Sequence, residues 1–410
     1  MATQSYVERT IAPVTRRVAR EFPALVLTGP RQSGKTTLLK HVFGKSHRYV
    51  SIEPPDVRIA AVENPRAFLD FNPAPVIFDE IQYAPELLAY IKERIDASRA
   101  TPGQYLLTGS QNLALVEGVS ESLAGRAAVL ELLPLSQRET ASAPNRSLPW
   151  ERKRTAQTPP ERPLSYRRLW ESLLRGNFPE LVAHPKRDGR LWHASYVQTY
   201  LERDVRSLRQ VGDLTQFQNF LRALAARSTQ LLNLADLARD LGIALNTVKA
   251  WLSVLEASFQ VIILRPYHAN LGKRLVKAPK VYFTDVGTLC YLTGLQSAEH
   301  AAAGPLGGAI METAVVMEIR KALVHRGIVP RMYFWRTSTG MEVDVVIETE
   351  NQLVPVEVKL SATPIPAMAK GIHAFQKDFG GVAAHGYVIH SGDITLPLSE
   401  SVTALPFVEL

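Results

Sequence analysis

The stretch Ala24-Leu25-Val26-Leu27, followed by Gly29-Pro30-Arg31-Gln32-Ser33-Gly34-Lys35-Thr36-Thr37 and then Leu38-Leu39-Lys40, decides how the chain is read. A short apolar run of strand type enters a glycine-bounded polar loop, and the loop enters the first turns of a helix. The pattern G-x-x-x-x-G-K-[ST] in this strand–loop–helix setting is a phosphate loop. Glycines let the backbone wrap a polyphosphate, and amide N–H groups at a helix N-terminus point at the anion. Lys35 brings a point charge to the outer phosphates, and the Thr36 hydroxyl can ligate Mg²⁺. Residues 29–37 are thus the expected nucleotide-binding segment.

Working outward, an entry helix rich in arginine is expected over 6–20 and a second strand over 48–52. A helix is expected over 56–71, with Asp56 as its cap. Pro75-Val76-Ile77-Phe78 reads as a third strand that delivers Asp79-Glu80 at its C-terminal end. Asp79 can hold the Mg²⁺ shell, and Glu80 can orient and polarise an attacking water. A helix over 85–99 leads to a fourth strand from Gln104 whose polar tip is Ser110-Gln111-Asn112. Where an additional strand lies beside the acid-bearing strand, such a tip sits near the γ-phosphate, so Ser110 and Gln111 are sensor candidates. A plain polar turn is the competing reading. A fifth strand is expected over 128–133. Arg126, just before it, either reaches a neighbouring subunit's phosphate as an arginine finger or stays solvated or ion-paired. Strands alternating with helices imply a parallel sheet with ligands at the strand C-termini.

The chain has 410 residues, of which 46% are hydrophobic, so several cores can be buried. Its formal net charge of +8 favours an anionic partner such as nucleic acid. The single cysteine, Cys290, excludes an internal disulfide framework and cysteine-based zinc sites and suits a reducing cytoplasm. Met1-Ala2-Thr3-Gln4-Ser5 opens no signal peptide, and no apolar run approaches the roughly 20 residues that span a bilayer.

Residues 141–163 are loaded with Pro, Arg, Ser and Thr and read as a mobile basic loop. Helical spacing then dominates 165–227. This is the expected lid, within which Arg203 and Arg206 either sense the nucleotide or make helix-face ion pairs such as Glu202–Arg206. Over 233–257 two amphipathic segments flank Gly242-Ile243, as a helix-turn-helix requires. Val261-Ile262-Ile263-Leu264 and Lys280-Val281-Tyr282-Phe283 follow as expected wing strands. The second helix can offer Asn246, Thr247 and Lys249 to a DNA groove, and Lys273, Arg274, Lys277 and Lys280 can meet phosphates from the wing. Winged helices also bind proteins, and the sequence leaves both uses open.

In the last third, 308–326 reads as a helix carrying Glu312. In Gly340-Met341-Glu342-Val343-Asp344-Val345-Val346-Ile347, alternation puts Glu342 and Asp344 on one face. Val354-Pro355-Val356-Glu357-Val358-Lys359 does the same for Glu357 and Lys359. A helix-borne acid, then Asp, then Glu-x-Lys on adjacent strands resembles the PD-(D/E)xK nuclease core, with Val343 where the strict motif has proline. The resemblance implies that Asp344 and Glu357, helped by Glu312, hold a divalent ion, and that Lys359 stabilises the attacking hydroxide or the phosphorane charge. The same fold without catalysis would bind a nucleic acid or a protein.

Gly29 to Thr37, Val76 to Gln82, Leu107 to Gln111 and Ser122 to Arg126 together resemble a prokaryotic group of AAA-family ATP-binding proteins with a C-terminal domain of unknown function. The resemblance runs on through Gly176-Asn177-Phe178-Pro179-Glu180, Tyr200 to Asp204, Lys277 to Asp285 and Glu357-Val358-Lys359. It implies an α/β architecture: a P-loop AAA-type ATPase core with a parallel sheet (1–140), a basic Pro-rich loop (141–165), a helical lid (166–228), a winged-helix module (229–290) and a restriction-endonuclease-like α/β domain (291–410). It further implies ATP and Mg²⁺ as ligands and a homo-oligomeric ring. The expected activity is ATP hydrolysis acting on DNA, with metal-dependent cleavage by Asp344, Glu357 and Lys359 as an added possibility. The alternative is a nucleotide-controlled protein switch whose nuclease-like domain is inert.

Overall fold

The computed structural model describes residues 6–110, 123–152, 165–200, 213–267 and 278–410. Five short segments build the first sheet: β1 (Ala24–Thr28), β2 (Arg48–Ser51), β3 (Val76–Asp79), β4 (Tyr105–Gly109) and β5 (Ala127–Glu131). All neighbours are parallel, in the order β2-β3-β4-β1-β5. The three central strands are buried at every position, as a parallel sheet covered on both faces requires. β4 is the additional strand between β1 and β3. Thr28 lies opposite Gly109 and Phe78 opposite Leu107, so Gly29, Asp79 and Ser110 leave the sheet at one edge.

The helix expected over 56–71 is two helices, Pro55–Glu63 and Pro65–Phe71. Pro65 lacks the N–H that a continuous helix needs. Asn64 instead caps the second helix, its Oδ1 accepting from Ala67 N at 3.2 Å. The entry helix is Ala12–Glu21, with proline in its first turn, and begins later than expected.

The region read as helical contains Tyr166–Arg175, Pro179–Ala183, Gly189–Tyr200 and Leu214–Ala225. Leu234–Leu241 and Leu245–Ala257 then flank Gly242, whose φ of +65° makes the tight turn. Asn233 caps the first of this pair through Ala235 N and Asp236 N. Asn246 and Lys249 stand exposed on the second, and Thr247 is partly covered.

The second sheet holds β6 (Val261–Pro266), β7 (Lys280–Phe283), β8 (Met332–Arg336), β9 (Glu342–Glu348), β10 (Leu353–Lys359), β11 (Gly386–His390), β12 (Leu396–Ser399) and β13 (Val402–Pro406). Its order is β12-β13-β11-β10-β9-β8-β6-β7. β6 and β7 do pair antiparallel, but they are not a free wing. β6 continues into parallel pairing with β8, Arg265 opposite Tyr333 and Pro266 opposite Phe334. The physical reason is burial: all four residues of β7 are inside, and an apolar strand of that kind needs cover on both faces. Lys280, expected to face a phosphate from the wing, is only 3% exposed. Lys273, Arg274 and Lys277 lie outside the described residues.

The helix Gly307–Val324 crosses from this sheet to the first one. Arg320 pairs with Glu131 at 2.9 Å, Lys321 Nζ donates to Leu135 O at 3.0 Å, and Gln137 N donates to Glu318 at 2.8 Å. The basic stretch after 141 is also tied down at its start. Arg146 Nη1 donates to Val408 O at 2.8 Å, and Arg152 Nη1 meets Glu409 at 3.2 Å. Arg146 and Arg152 are thus spent on residues 408–409, so the described start of the stretch is no mobile loop, and 153–164 lie outside the described residues. Among the described residues, no helix is long and apolar enough to cross a membrane.

Candidate functional site

The first sheet's C-terminal edge carries a cavity of about 430 Å³ lined by Gln32, Gly34, Lys35, Thr36, Thr37 and Glu80, among others. Two glycines shape its loop. Gly29 has φ +145°, and a Cβ there would come within 2.1 Å of Leu132 O. Gly34 has φ +94° and begins the helix Lys35–Phe43. The loop thus lines the cavity where it enters the N-terminus of a helix, a place that suits phosphate. Lys35 Nζ donates to Gly29 O and Pro30 O, both at 2.9 Å. Ser33 Oγ is buried without a hydrogen-bond partner.

Asp79 is the hub. Thr36 Oγ1 donates to both of its carboxylate oxygens at 2.9 Å, Tyr49 OH to Oδ2 at 2.7 Å, and Thr108 Oγ1 to Oδ1. Burial, with this carboxylate next, pushes the Tyr49 phenol well above its ordinary pKa, so it stays a donor. A hydroxyl and a carboxylate placed together are hard oxygen donors of the kind Mg²⁺ takes beside phosphate oxygens and water.

Glu80 sits in left-handed backbone, φ +59°. Its N–H donates to Thr108 Oγ1 at 3.0 Å, and its Oε2 accepts from Ser110 Oγ at 3.2 Å and from Gln82 Nε2. Ser110 therefore touches Glu80. Gln111 and Arg203 lie outside the described residues. Arg126 forms a two-point pair with Asp96, at 2.6 and 2.9 Å, the ion-paired alternative of the two.

Several pocket residues escaped the sequence reading. Tyr6 and Arg9 line one wall, and Pro179, Glu180 and Ala183 another. Arg9 holds the loop through Ser33 O at 2.8 Å and pairs with buried Glu139 at 3.0 Å. The second wall is braced from below: Asn177 N donates to Asp285 Oδ1 at 2.9 Å, and Leu135 N to Asn177 O at 2.9 Å. Behind it, a Cβ on Gly287 would come within 2.6 Å of His193 and 2.7 Å of Gly176 Cα. Gly287→Ala is thus expected to destabilise the protein by about 1–3 kcal/mol, read as a fall in melting temperature. An unchanged melt would mean the 176–180 segment is loosely held.

The second grouping is in the C-terminal sheet. Glu312, Glu342 and Asp344 do converge, but around a lysine. Lys280 Nζ lies 2.9 Å from Glu312, 2.7 Å from Glu342 and 3.8 Å from Asp344. Tyr282 OH adds a bond to Glu312 at 2.7 Å, and Asp344 Oδ2 accepts from Val358 N at 2.8 Å. Glu357 meets Lys359 at 2.6 Å, while its Oε2 is buried without a partner. Among the described residues, no three His, Cys, Asp or Glu side chains gather as a metal cage does. The expected trio of Glu312, Asp344 and Glu357 instead forms part of an ion-pair network.

Burial, then Asp344, raises Glu357 to about 8 and Glu312 to about 7, with Lys359 and Lys280 respectively pulling the other way. A carboxyl whose folded pKa is raised binds its proton more tightly folded than unfolded. Stability is then greatest below the unfolded value of about 4.3 and is lost as pH rises through the folded values. In EDTA, the melting temperature should fall between pH 5.5 and 8.5, and Glu357→Gln should flatten that fall. An equally steep fall in the variant would place the titration elsewhere.

Comparison with known families places an AAA domain over residues 21–141. Two domains of unknown function, DUF8612 and DUF4143, match residues 166–299 and 307–410. The uncharacterized proteins Rv2008c of Mycobacterium tuberculosis and Mb2031c of Mycobacterium bovis are each 30% identical over 403 residues, covering 97% of this chain and 83% of theirs. Among solved structures, the Walker-type ATPase PABY2304 of Pyrococcus abyssi aligns at 16% identity over 71% of this chain and 97% of its own, with a TM-score of 0.45. The RuvB Holliday junction branch migration motor of Thermotoga maritima aligns at 15% identity over 62% and 89%, with a TM-score of 0.31.

Proposed function

We propose, on the premise that the chain belongs to one family with the mycobacterial proteins Rv2008c and Mb2031c and carries a P-loop AAA domain, that it hydrolyses ATP in a Mg²⁺-dependent way and uses the energy to act on DNA. The observation that carries this is the meeting of Thr36, Asp79 and Glu80 beside Lys35 at one sheet edge. Lys35 and the loop amides hold the outer phosphates. Thr36 and Asp79 would hold Mg²⁺, which when bound neutralises charge on the phosphate oxygens. Glu80 orients the water in line with the γ-phosphate, and Ser110 and Gln82 fix its carboxylate. A homo-oligomeric ring, in which Arg126 leaves Asp96 for a neighbour's phosphate, belongs to the same proposal.

The DNA part rests on the net charge of +8 and on the helix pair around Gly242, with Asn246 and Lys249 exposed and Thr247 beside them. Lys273 and Arg274 remain proposed phosphate contacts. In the C-terminal sheet, Asp344, Glu357 and Lys359 are the proposed cleavage residues. A second reading has its own observation. With Lys280 among the carboxylates, the C-terminal domain is a protein-binding switch that cuts nothing. ATP turnover with single-stranded, duplex and branched DNA separates the two. Stimulation by one form supports action on DNA and names the substrate for a cleavage assay. Turnover indifferent to every form supports the switch.

A further inference from the structure

We infer that the exposed face of the entry helix Ala12–Glu21 is a docking ridge for the phosphate backbone of duplex DNA, with Arg16, Arg17 and Arg20 as its contacts. The inference rests on the reading that the chain acts on DNA and adds where, on the ATPase domain itself, the duplex is held.

The first support is the face itself. Pro13, Arg16, Arg17 and Arg20 fall at i, i+3, i+4 and i+7, so they share one side of the helix. All four are exposed, while Ile11, Thr15 and Val18 on the opposite side are buried. With Glu21 they border a surface depression of about 400 Å³. Elsewhere on this domain arginines are spent on acids: Arg66 meets Glu93 at 2.7 Å, and Arg126 meets Asp96 at 2.6 Å. Among the described residues, Arg16, Arg17 and Arg20 have no hydrogen-bond or ion-pair partner. Three unpaired guanidinium groups on one face repel one another and attract an anion, and each matches phosphate in a two-point contact.

Charge density and burial select the partner. From Arg16 to Arg20 the helix advances about 6 Å at 1.5 Å per residue. Over that length duplex DNA presents about three or four negative charges. A lipid surface fits less well, because the apolar side of this helix is buried in the core and is not free to insert.

The second support is what the helix is attached to. Ala12 N donates to Arg9 O at 3.0 Å, and Arg9 Nη1 donates to Ser33 O of the phosphate loop at 2.8 Å. Arg9 also borders the nucleotide cavity. The ridge therefore stands on the element that buttresses the nucleotide loop. A duplex held there is held where a substrate worked on by ATP hydrolysis needs to be.

Fluorescence anisotropy of a labelled mixed-sequence duplex, titrated with the full chain over a range of salt, tests the ridge without any activity assay. Each phosphate contact adds about 0.9 to the steepness with which log K falls against log salt. Arg16→Gln, Arg17→Gln and Arg20→Gln combined should lower that steepness by about 2–3 and weaken binding alike on every sequence. Each single change should lower it by about 1, which decides the matter if the combined variant does not fold. Replacement of all three by lysine should keep the steepness, and an equal fall with lysine would overturn the ridge. So would a wild type that binds the duplex while the glutamine variants keep its full steepness, which leaves action on DNA to other residues. A wild type that binds no duplex at low salt overturns the DNA reading, and the ridge with it. Its capture by phosphatidylserine vesicles in that case would give the arginine face to a membrane surface instead.

Discussion

Glu80→Gln is expected to lower ATP turnover by roughly 10²–10⁴-fold while leaving nucleotide binding nearly intact, because it removes a positioned base and little else. The side chain hangs from the end of β3 with its N–H on Thr108 and its Oε2 under Ser110 and Gln82. Glutamine keeps the volume and most of those bonds but is neutral and cannot take a proton from water. Steady-state phosphate release measures the first effect, and displacement of a fluorescent nucleotide measures the second. Turnover retained in the variant would move the water-orienting role to another residue. Binding lost along with turnover would mean that Glu80 shapes the pocket.

Lys35→Ala should cost roughly 10²–10³-fold in turnover and should also weaken binding, since an ammonium aimed at the outer phosphates acts on both bound ATP and its transition state. Lys35 Nζ rests on the carbonyls of Gly29 and Pro30 at 2.9 Å, so the charge is held inside the loop. Ligand that binds the native state raises its melting temperature. Wild type should therefore melt higher with Mg²⁺ and ATP, and Lys35→Ala should lose most of that rise. An undiminished rise in the variant would put the nucleotide somewhere other than this loop.

The first sheet could be read from the sequence because its signals are local. The phosphate loop names β1, and Asp79-Glu80 after an apolar run names β3. What escaped depends on distant partners. Lys280 looks like one more basic residue until Glu312, Glu342 and Asp344, from a helix and another strand, close around it. β6 and β7 have the length and apolarity of wing strands. Only the pairing of Arg265 and Pro266 with β8 shows which sheet they extend. The pocket wall at Pro179 is set by an aspartate more than a hundred residues later, and no spacing rule reaches that far. Pro65 is different: the break between two helices was legible, since proline inside a helical pattern is a breaker on its own.

The central claim is that Thr36, Asp79 and Glu80 form a working Mg²⁺-dependent ATPase site on this chain. The most direct measurement is phosphate release from ATP by the full chain, with Mg²⁺ and with EDTA, against Lys35→Ala as the blank. The account predicts turnover above the blank with Mg²⁺ and a fall to the blank in EDTA. Turnover no higher than the blank with Mg²⁺ and ATP, with and without DNA, would contradict it.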